Sequence, residues 1–181
     1  MRPLPLPAFP GLETRRCLLR PLEPEDASAI FALRSNHEVN LFLDRPAASS
    51  IEDAERFIGR ITAGMDTSEW FYWGIVAKNH PGLIGTICLW NIQVENSTAE
   101  IGYELLPQYQ GKGYMSEVVA TVLGFGFNTL GLEAIEACLH KDNARSLKIL
   151  EGYGFLRNSH SEEKLKEDPN AKELVIYILN K

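Results

Sequence analysis

The segment from Ala99 to Glu117, AEIGYELLPQYQGKGYMSE, runs a strand into a loop with two closely spaced glycines and that loop into a helix. This order constrains the fold and the site together. Gly111 and Gly113 let the backbone come close to a ligand, and the first turn of the following helix aims free N–H groups and the positive end of its dipole at whatever lies there. Such a loop suits a diphosphate. A tight strand-to-helix connection uses glycines as well, so the pair alone does not separate a cradle from a turn. Two other phosphate loops fit poorly. A Walker loop places Ser or Thr after Gly-Lys, whereas Lys112 is followed by Gly113; a dinucleotide fingerprint needs three glycines after the first strand of a βαβ unit, whereas this loop follows several strands.

The rest of the chain supplies elements for a mixed sheet with helices packed on it. LETRRCLLRPL (Leu12 to Leu22) has strand character, and Pro24 opens a helix whose apolar stripe is Ala27, Ile30, Phe31 and Leu33. Ser49 or Ser50 caps a second helix with acidic residues in its first turn and Ala54, Phe57, Ile58 and Ile61 at helical spacing. Glu69 to Lys78, a turn at His80, Pro81 and Gly82, and Leu83 to Ile92 read as an antiparallel hairpin, followed by a strand from Thr98 to Leu106. Gly111 to Leu130 is the strongest helix, ended by Gly131. Glu133 to His140 is a strand, Asn143 to Tyr153 a short helix ended by Gly154, and Glu173 to Leu179 a final β-branched strand.

A chain of 181 residues suits one domain, read here as residues 11–181 behind a proline-rich irregular arm at 1–10. A net charge of -6 argues against general binding to nucleic acid backbones and suits a cationic small molecule or basic peptide better. Cys17, Cys88 and Cys138 lack disulfide or zinc spacing and read as reduced, buried thiols, and His37, His80, His140 and His160 show no ligand spacing, so no metal is expected. No secretory leader or membrane span is legible, which makes the cytoplasm the expected compartment and a membrane an unexpected partner. Edge strands leave the oligomeric state open.

Gln108, Gly111 and Gly113 match the Q/R-x-x-G-x-G/A signature of the Gcn5-related N-acetyltransferase superfamily, and the chain resembles that superfamily over nearly its full length. The resemblance implies an α/β fold with a mixed, centrally splayed sheet of six to seven strands and about four helices. It also implies acetyl-CoA as cosubstrate. The coenzyme would be held by Leu105, Leu106, Gln108, Gln110, Gly111 and Lys112, and by Gly113, Tyr114, Met115, Ser116 and, from the next helix, Asn143. Asn143, Ser146, Gly154 and Phe155 look like the superfamily's second conserved region. Many relatives carry a tyrosine general acid where this chain has Leu150, and Tyr153 is not its equivalent. The N-x-x-S pattern with that leucine, together with FLDRP (Phe42 to Pro46), resembles the branch of ribosomal-protein N-terminal acetyltransferases. Ser146 then stands as the acid or as a polar residue in a capped helix turn.

The same resemblance implies direct attack of an amine on the thioester, with no enzyme nucleophile. Glu100 stands where several superfamily members keep their base; Glu104, two positions beyond Gly102 on the same strand face, is the reserve. The alternative is that both are solvent-facing charges on a half-exposed strand, a reading that suits Glu104 better than Glu100. A bulge in this strand would free a backbone N–H near Tyr103 to Leu106 for the thioester carbonyl. Trp70, Phe71, Tyr72, Trp73 and Trp90 are read mostly as core, and Asn40, Phe42 and Asp44 as acceptor contacts. A protein N-terminal α-amine leads as acceptor. Polyamines, aminoglycosides and a non-catalytic acyl-CoA sensor are the alternatives.

Overall fold

The computed structural model describes residues 9–163, 171 and 173–181. The stretch expected as one strand near the start folds instead into a hairpin of β1 (Leu12–Glu13) and β2 (Cys17–Arg20). Thr14 explains the break: its hydroxyl accepts from the amides of Arg16 at 3.2 Å and Cys17 at 2.8 Å, turning the chain locally. A short 3₁₀ turn at Pro24–Asp26 leads into α1 (Ala27–Ser35), the single turn α2 (His37–Asn40) and α3 (Ile51–Asp66). Ser50 is the cap of α3. Its hydroxyl accepts from the Asp53 amide while Asp53 reaches back to the Ser50 N–H, and the helix buries Ala54, Phe57, Ile58 and Ile61.

Strands β3 (Phe71–Ala77), β4 (Leu83–Gln93) and β5 (Thr98–Leu105) form an antiparallel meander. Helix α4 (Tyr114–Asn128) crosses to β6 (Ala134–His140), and α5 (Ala144–Gly152), β7 (Leu156–Arg157), α6 (Ser159–Glu162) and β8 (Leu174–Asn180) complete the order. Helix α4 starts three residues later than expected because both loop glycines take positive φ. The sheet order is β1-β2-β3-β4-β5-β6-β8-β7. Eight strands and six helices among the described residues exceed the six to seven strands and about four helices expected. The surplus is β1, β7, α2 and α6, each too short to leave a periodic signature.

Alternation along the strands sorts side chains to two cores. Ile87, Leu89, Ile101 and Leu105 pack with Met115, Val118, Val119 and Val122 of α4 on one face. Leu22, Ile30, Leu33, Phe57, Ile58 and Leu106 form the second core under α1 and α3. Phe9 and Pro10, the described end of the proline-rich arm, are docked rather than loose: Phe9 stacks on Phe71 and Trp73, and the Trp73 indole N–H donates to the Pro10 carbonyl at 2.8 Å. The reading of all three thiols as buried holds for Cys17; Cys88 is half-buried, and Cys138 is exposed because its neighbours Ala137 and Leu139 take the inward positions of β6.

The sheet splits at its centre. Strands β5 and β6 pair in parallel only at Thr98↔Ala134, Ala99↔Ile135 and Glu100↔Glu136. Beyond that point β5 stays with β4 as far as Gly85↔Leu105, while β6 stays with β8 as far as His140↔Leu174. The expected bulge in β5 is absent. Its ladder with β4 is unbroken from Glu100 to Leu105, and the irregularity lies on β4 between Trp90 and Gln93, where Asn91 takes φ 48°. Divergence of neighbours, not an inserted residue, opens the sheet.

Candidate active site

A cleft of about 1060 Å³ occupies the split. That is the upper end of ordinary small-molecule sites, roughly 300–1,000 Å³. One wall is the open end of β5, with Tyr103, Glu104 and Leu105; the floor is the glycine loop and first turn of α4; the far wall is α5; and Leu41, Phe42 and Leu43, after α2, cover one end.

At the floor, Gly113 is the N-cap of α4 at φ 80° and offers no side chain, so the amides of Tyr114, Met115 and Ser116 are uncapped. Gly111 sits at φ 71° with open space where a Cβ would stand. This floor is held by a residue the sequence did not single out. The Arg16 guanidinium donates to the Lys112 carbonyl at 2.9 Å and to Glu117 at 2.8 Å, its backbone N–H donates to the same carboxylate at 2.7 Å, and it stacks over Tyr114 at 4.4 Å. Burial alone would raise the Glu117 carboxyl; hydrogen bonds from Thr14 and Arg16 outweigh it and hold it at about 2. Gln110 braces the loop from the strand side by donating to the Leu105 carbonyl at 2.7 Å.

Along the open wall, the Leu106 amide donates to the Ile84 carbonyl at 2.9 Å, which makes Ile84 and Leu106 a hydrogen-bonded pair. Alternation then turns the amides of Leu105 and Tyr103 the other way, toward the gap that β6 has left. Two edge N–H groups thus face the cleft without any bulge. Across the gap, the Tyr103 hydroxyl lies 2.7 Å from the Ser146 Oγ. Ser146 is fixed in turn by Asn143, whose side chain accepts from the Ser146 amide at 3.2 Å and caps α5. Burial pushes the Tyr103 phenol up to about 12, against the opposing pull of the Ser146 bond. Leu150 is fully buried, and the Tyr153 hydroxyl is spent on the Ser116 carbonyl at 2.6 Å.

Glu100, Gly102 and Glu104 do share one face of β5, in quite different settings. Glu104 lines the cleft with a side chain 7% exposed, paired to Arg45 at 2.5 Å and to the Thr86 hydroxyl at 3.3 Å, itself bonded to the Tyr72 hydroxyl at 3.0 Å. Arg45 is anchored by the Asn40 side chain at 2.7 Å. Glu100 lies where β5 and β6 are still paired, outside the cleft lining; Asn91 donates to it at 2.6 Å, and burial first and Glu136 second raise its carboxyl.

Of the residues singled out from the sequence, Leu105, Gln110, Gly111, Gly113, Tyr114, Met115, Ser116, Asn143 and Ser146 come together at the cleft. Leu106, Gln108, Lys112 and Glu100 do not line it: Leu106 belongs to the second core, and Gln108 and Lys112 are exposed. Asp44 is exposed too, and its neighbour Arg45 turns inward instead. His140 stacks on Phe42 at 5.2 Å and stands within 4.8 Å of Asp142 and Glu173. Phe71 and Trp73 are core, whereas Trp90 is 45% exposed. The side-chain roles of Tyr103, Arg16 and Arg45 were missed because their partners lie 43, 101 and 59 residues away in sequence. No described helix is long and apolar enough to cross a membrane.

Comparison with known proteins gives this geometry a family. The pattern described as "Acetyltransferase (GNAT) domain" matches residues 16–156. The Uncharacterized N-acetyltransferase YoaA of Bacillus subtilis is 34% identical over 173 residues, covering 96% of this chain and 98% of its own. The Spermidine N(1)-acetyltransferase of Vibrio cholerae is 25% identical over 80% of this chain and 82% of its own. Among solved structures, the Ribosomal-protein-S5-alanine Acetyltransferase from Vibrio fischeri superposes with a TM-score of 0.79 at 22% identity, over 94% of this chain and 96% of that one. The split sheet, the uncapped helix behind a glycine loop and these matches together make the chain a member of the GNAT family of N-acetyltransferases.

Proposed function

We propose that the protein transfers an acetyl group from acetyl-CoA to a protein N-terminal α-amine by direct attack in a ternary complex. The observation that carries the reading is the single continuous cleft, with uncapped helix amides at one end and a buried carboxylate beneath an apolar cover at the other. The cosubstrate supplies an activated acetyl group on a thiol leaving group. The amides of Tyr114, Met115 and Ser116 receive the diphosphate, and the edge amides of Tyr103 and Leu105 receive the thioester carbonyl as negative charge grows on its oxygen.

Glu104 is the proton acceptor we favour. Its two hydrogen bonds leave lone pairs open, and it is the carboxylate of its row that meets the cleft. An α-amine, with a pKa near 8, is roughly a tenth unprotonated at pH 7, whereas an amine of pKa about 10.4 is free at only a few parts in ten thousand. The first therefore asks far less of the base. The FLDRP segment and the V. fischeri neighbour support this acceptor class. Glu38, Glu104 and Asp142 along the lining favour a second reading, a polyamine, in line with the V. cholerae relative.

The test is release of coenzyme A thiol from acetyl-CoA against peptides of varied N-terminus, polyamines and aminoglycosides. Release with peptides alone, lost about a hundredfold in Glu104→Gln and little changed in Glu100→Gln, is the expected result. Release with spermidine alone moves the reading to polyamines. Binding of acetyl-CoA with release from no acceptor supports a sensor and overturns it.

A further inference from the structure

The departing thiolate needs a hydrogen-bond donor, and the position where relatives keep a tyrosine for that purpose is the buried Leu150. Of the other tyrosines lining the cleft, Tyr153 is occupied at the first turn of α4, Tyr114 lies under the Arg16 guanidinium, and Tyr109 is held edge-on between His80 and Tyr114. Tyr103 remains. Its hydroxyl projects from the strand whose edge amides face the gap, it lines the cleft, and it meets Ser146 across the split at 2.7 Å.

We propose that Tyr103 is the proton donor to the leaving sulfur, with Ser146 as a positioning residue that donates its own hydroxyl hydrogen to the Tyr103 oxygen and so turns the phenol hydrogen toward the cleft. Of two hydroxyls in contact, the phenol is much the more acidic, so the one nearer in acidity to a thiol is aimed at the sulfur. As the amine nitrogen bonds to the carbonyl carbon, the C–S bond breaks and its electron pair leaves on sulfur. Sulfur takes the Tyr103 proton, Tyr103 is reprotonated from solvent, directly or by relay through the Ser146 hydroxyl, and the proton shed by the amine goes to the carboxylate opposite. The acid thus comes from the sheet, in a chain whose helix lacks it. The burial that holds the phenol near 12 keeps it protonated throughout the working range of pH.

This inference rests on the acetyl-transfer reading, and thiol release measured with amine and, more slowly, with water as acceptor separates the two. Tyr103→Phe should lower kcat about ten- to a hundredfold in both reactions, toward the low end for general acids because a thiolate leaves readily, with KM for acetyl-CoA within about threefold of wild type. Ser146→Ala should cost less, and the double variant should match Tyr103→Phe alone. Replacing Tyr103 by a trifluorotyrosine, whose phenol ionises near neutrality, should add an alkaline limb to kcat that wild type lacks, a signature that a packing role would not give. Unchanged kcat in Tyr103→Phe, or no new limb in the fluorinated protein, overturns the assignment and leaves acetyl transfer standing; a wild type that releases thiol with neither amine nor water overturns both.

Discussion

Three helices in this molecule begin in three different ways. Helix α3 is closed by Ser50 and Asp53 in a reciprocal box, and α5 by the Asn143 side chain, while α4, between them in sequence, begins on Gly113 with no side-chain cap. A polar cap at α4 would gain only a few tenths of a kcal/mol over glycine, so leaving it open forgoes a little stability. The open start faces the cleft and the fully boxed one does not. Donors closed by the chain serve the fold; donors left open at a cleft serve a ligand. The fold compensates with the Arg16 clamp, which fixes the loop from outside without touching the free amides.

The strongest way to break this contrast is to disturb the open start. Gly113 holds φ 80°, and a Cβ there would stand 3.2 Å from the Arg16 Nη2, whereas Gly111, at φ 71°, has room around it. Gly113→Ala combines left-handed strain of about 1–2 kcal/mol with pressure on the clamp. Its affinity for acetyl-CoA, by calorimetry, should fall at least tenfold, and Tm should drop by a few degrees. Gly111→Ala should show the strain alone. If Gly113→Ala binds the coenzyme as wild type does, the open start is structural.

The clamp comes next in size. Arg16→Ala leaves the Glu117 carboxylate without its guanidinium partner and should lower Tm, with a several-fold loss of coenzyme affinity as the loop loosens. The acid dependence has a definite sign. The Glu117 carboxyl is held at about 2, below its ordinary 4.5, so its contribution is fully present above pH 4.5 and fades as pH falls toward 2. Glu117→Gln should therefore flatten the stability curve between pH 4.5 and 2, followed by urea midpoints, and leave its shape near neutrality unchanged.

What the sequence revealed follows the range of the interactions involved. Ser50, Asn143 and the Gly111–Gly113 loop act within three or four residues, and their roles as caps and turn were readable from local order. Glu100 and Glu104 were readable as one face of a strand, because period two is local too. Which of them meets the cleft depends on where β6 leaves β5, after Glu136, a residue 36 positions beyond Glu100. The same holds for the free amides of Tyr103 and Leu105: a bulge is a local device that a sequence can hint at, whereas here the opening arises from two neighbours parting, which no single segment encodes. The Thr14 turn was hidden by a continuous run of strand-forming residues around it.

The smallest effect sharpens the contrast most. Asn143→Ala and Ser50→Ala each remove a side-chain cap, and each should cost about 1 kcal/mol, a Tm drop of roughly 2–4 °C in a chain of this size. Their consequences for turnover should part. Asn143 accepts from the amide of Ser146, so its loss frees the first turn of α5 and with it the hydroxyl opposite Tyr103, and kcat should fall several-fold. Ser50 stands outside the cleft lining at the start of α3, so Ser50→Ala should keep kcat and KM within about twofold of wild type at 25 °C. Equal loss of activity in both variants would mean that turnover tracks overall stability, and the distinction between a cap that serves the fold and one that serves the site would fail.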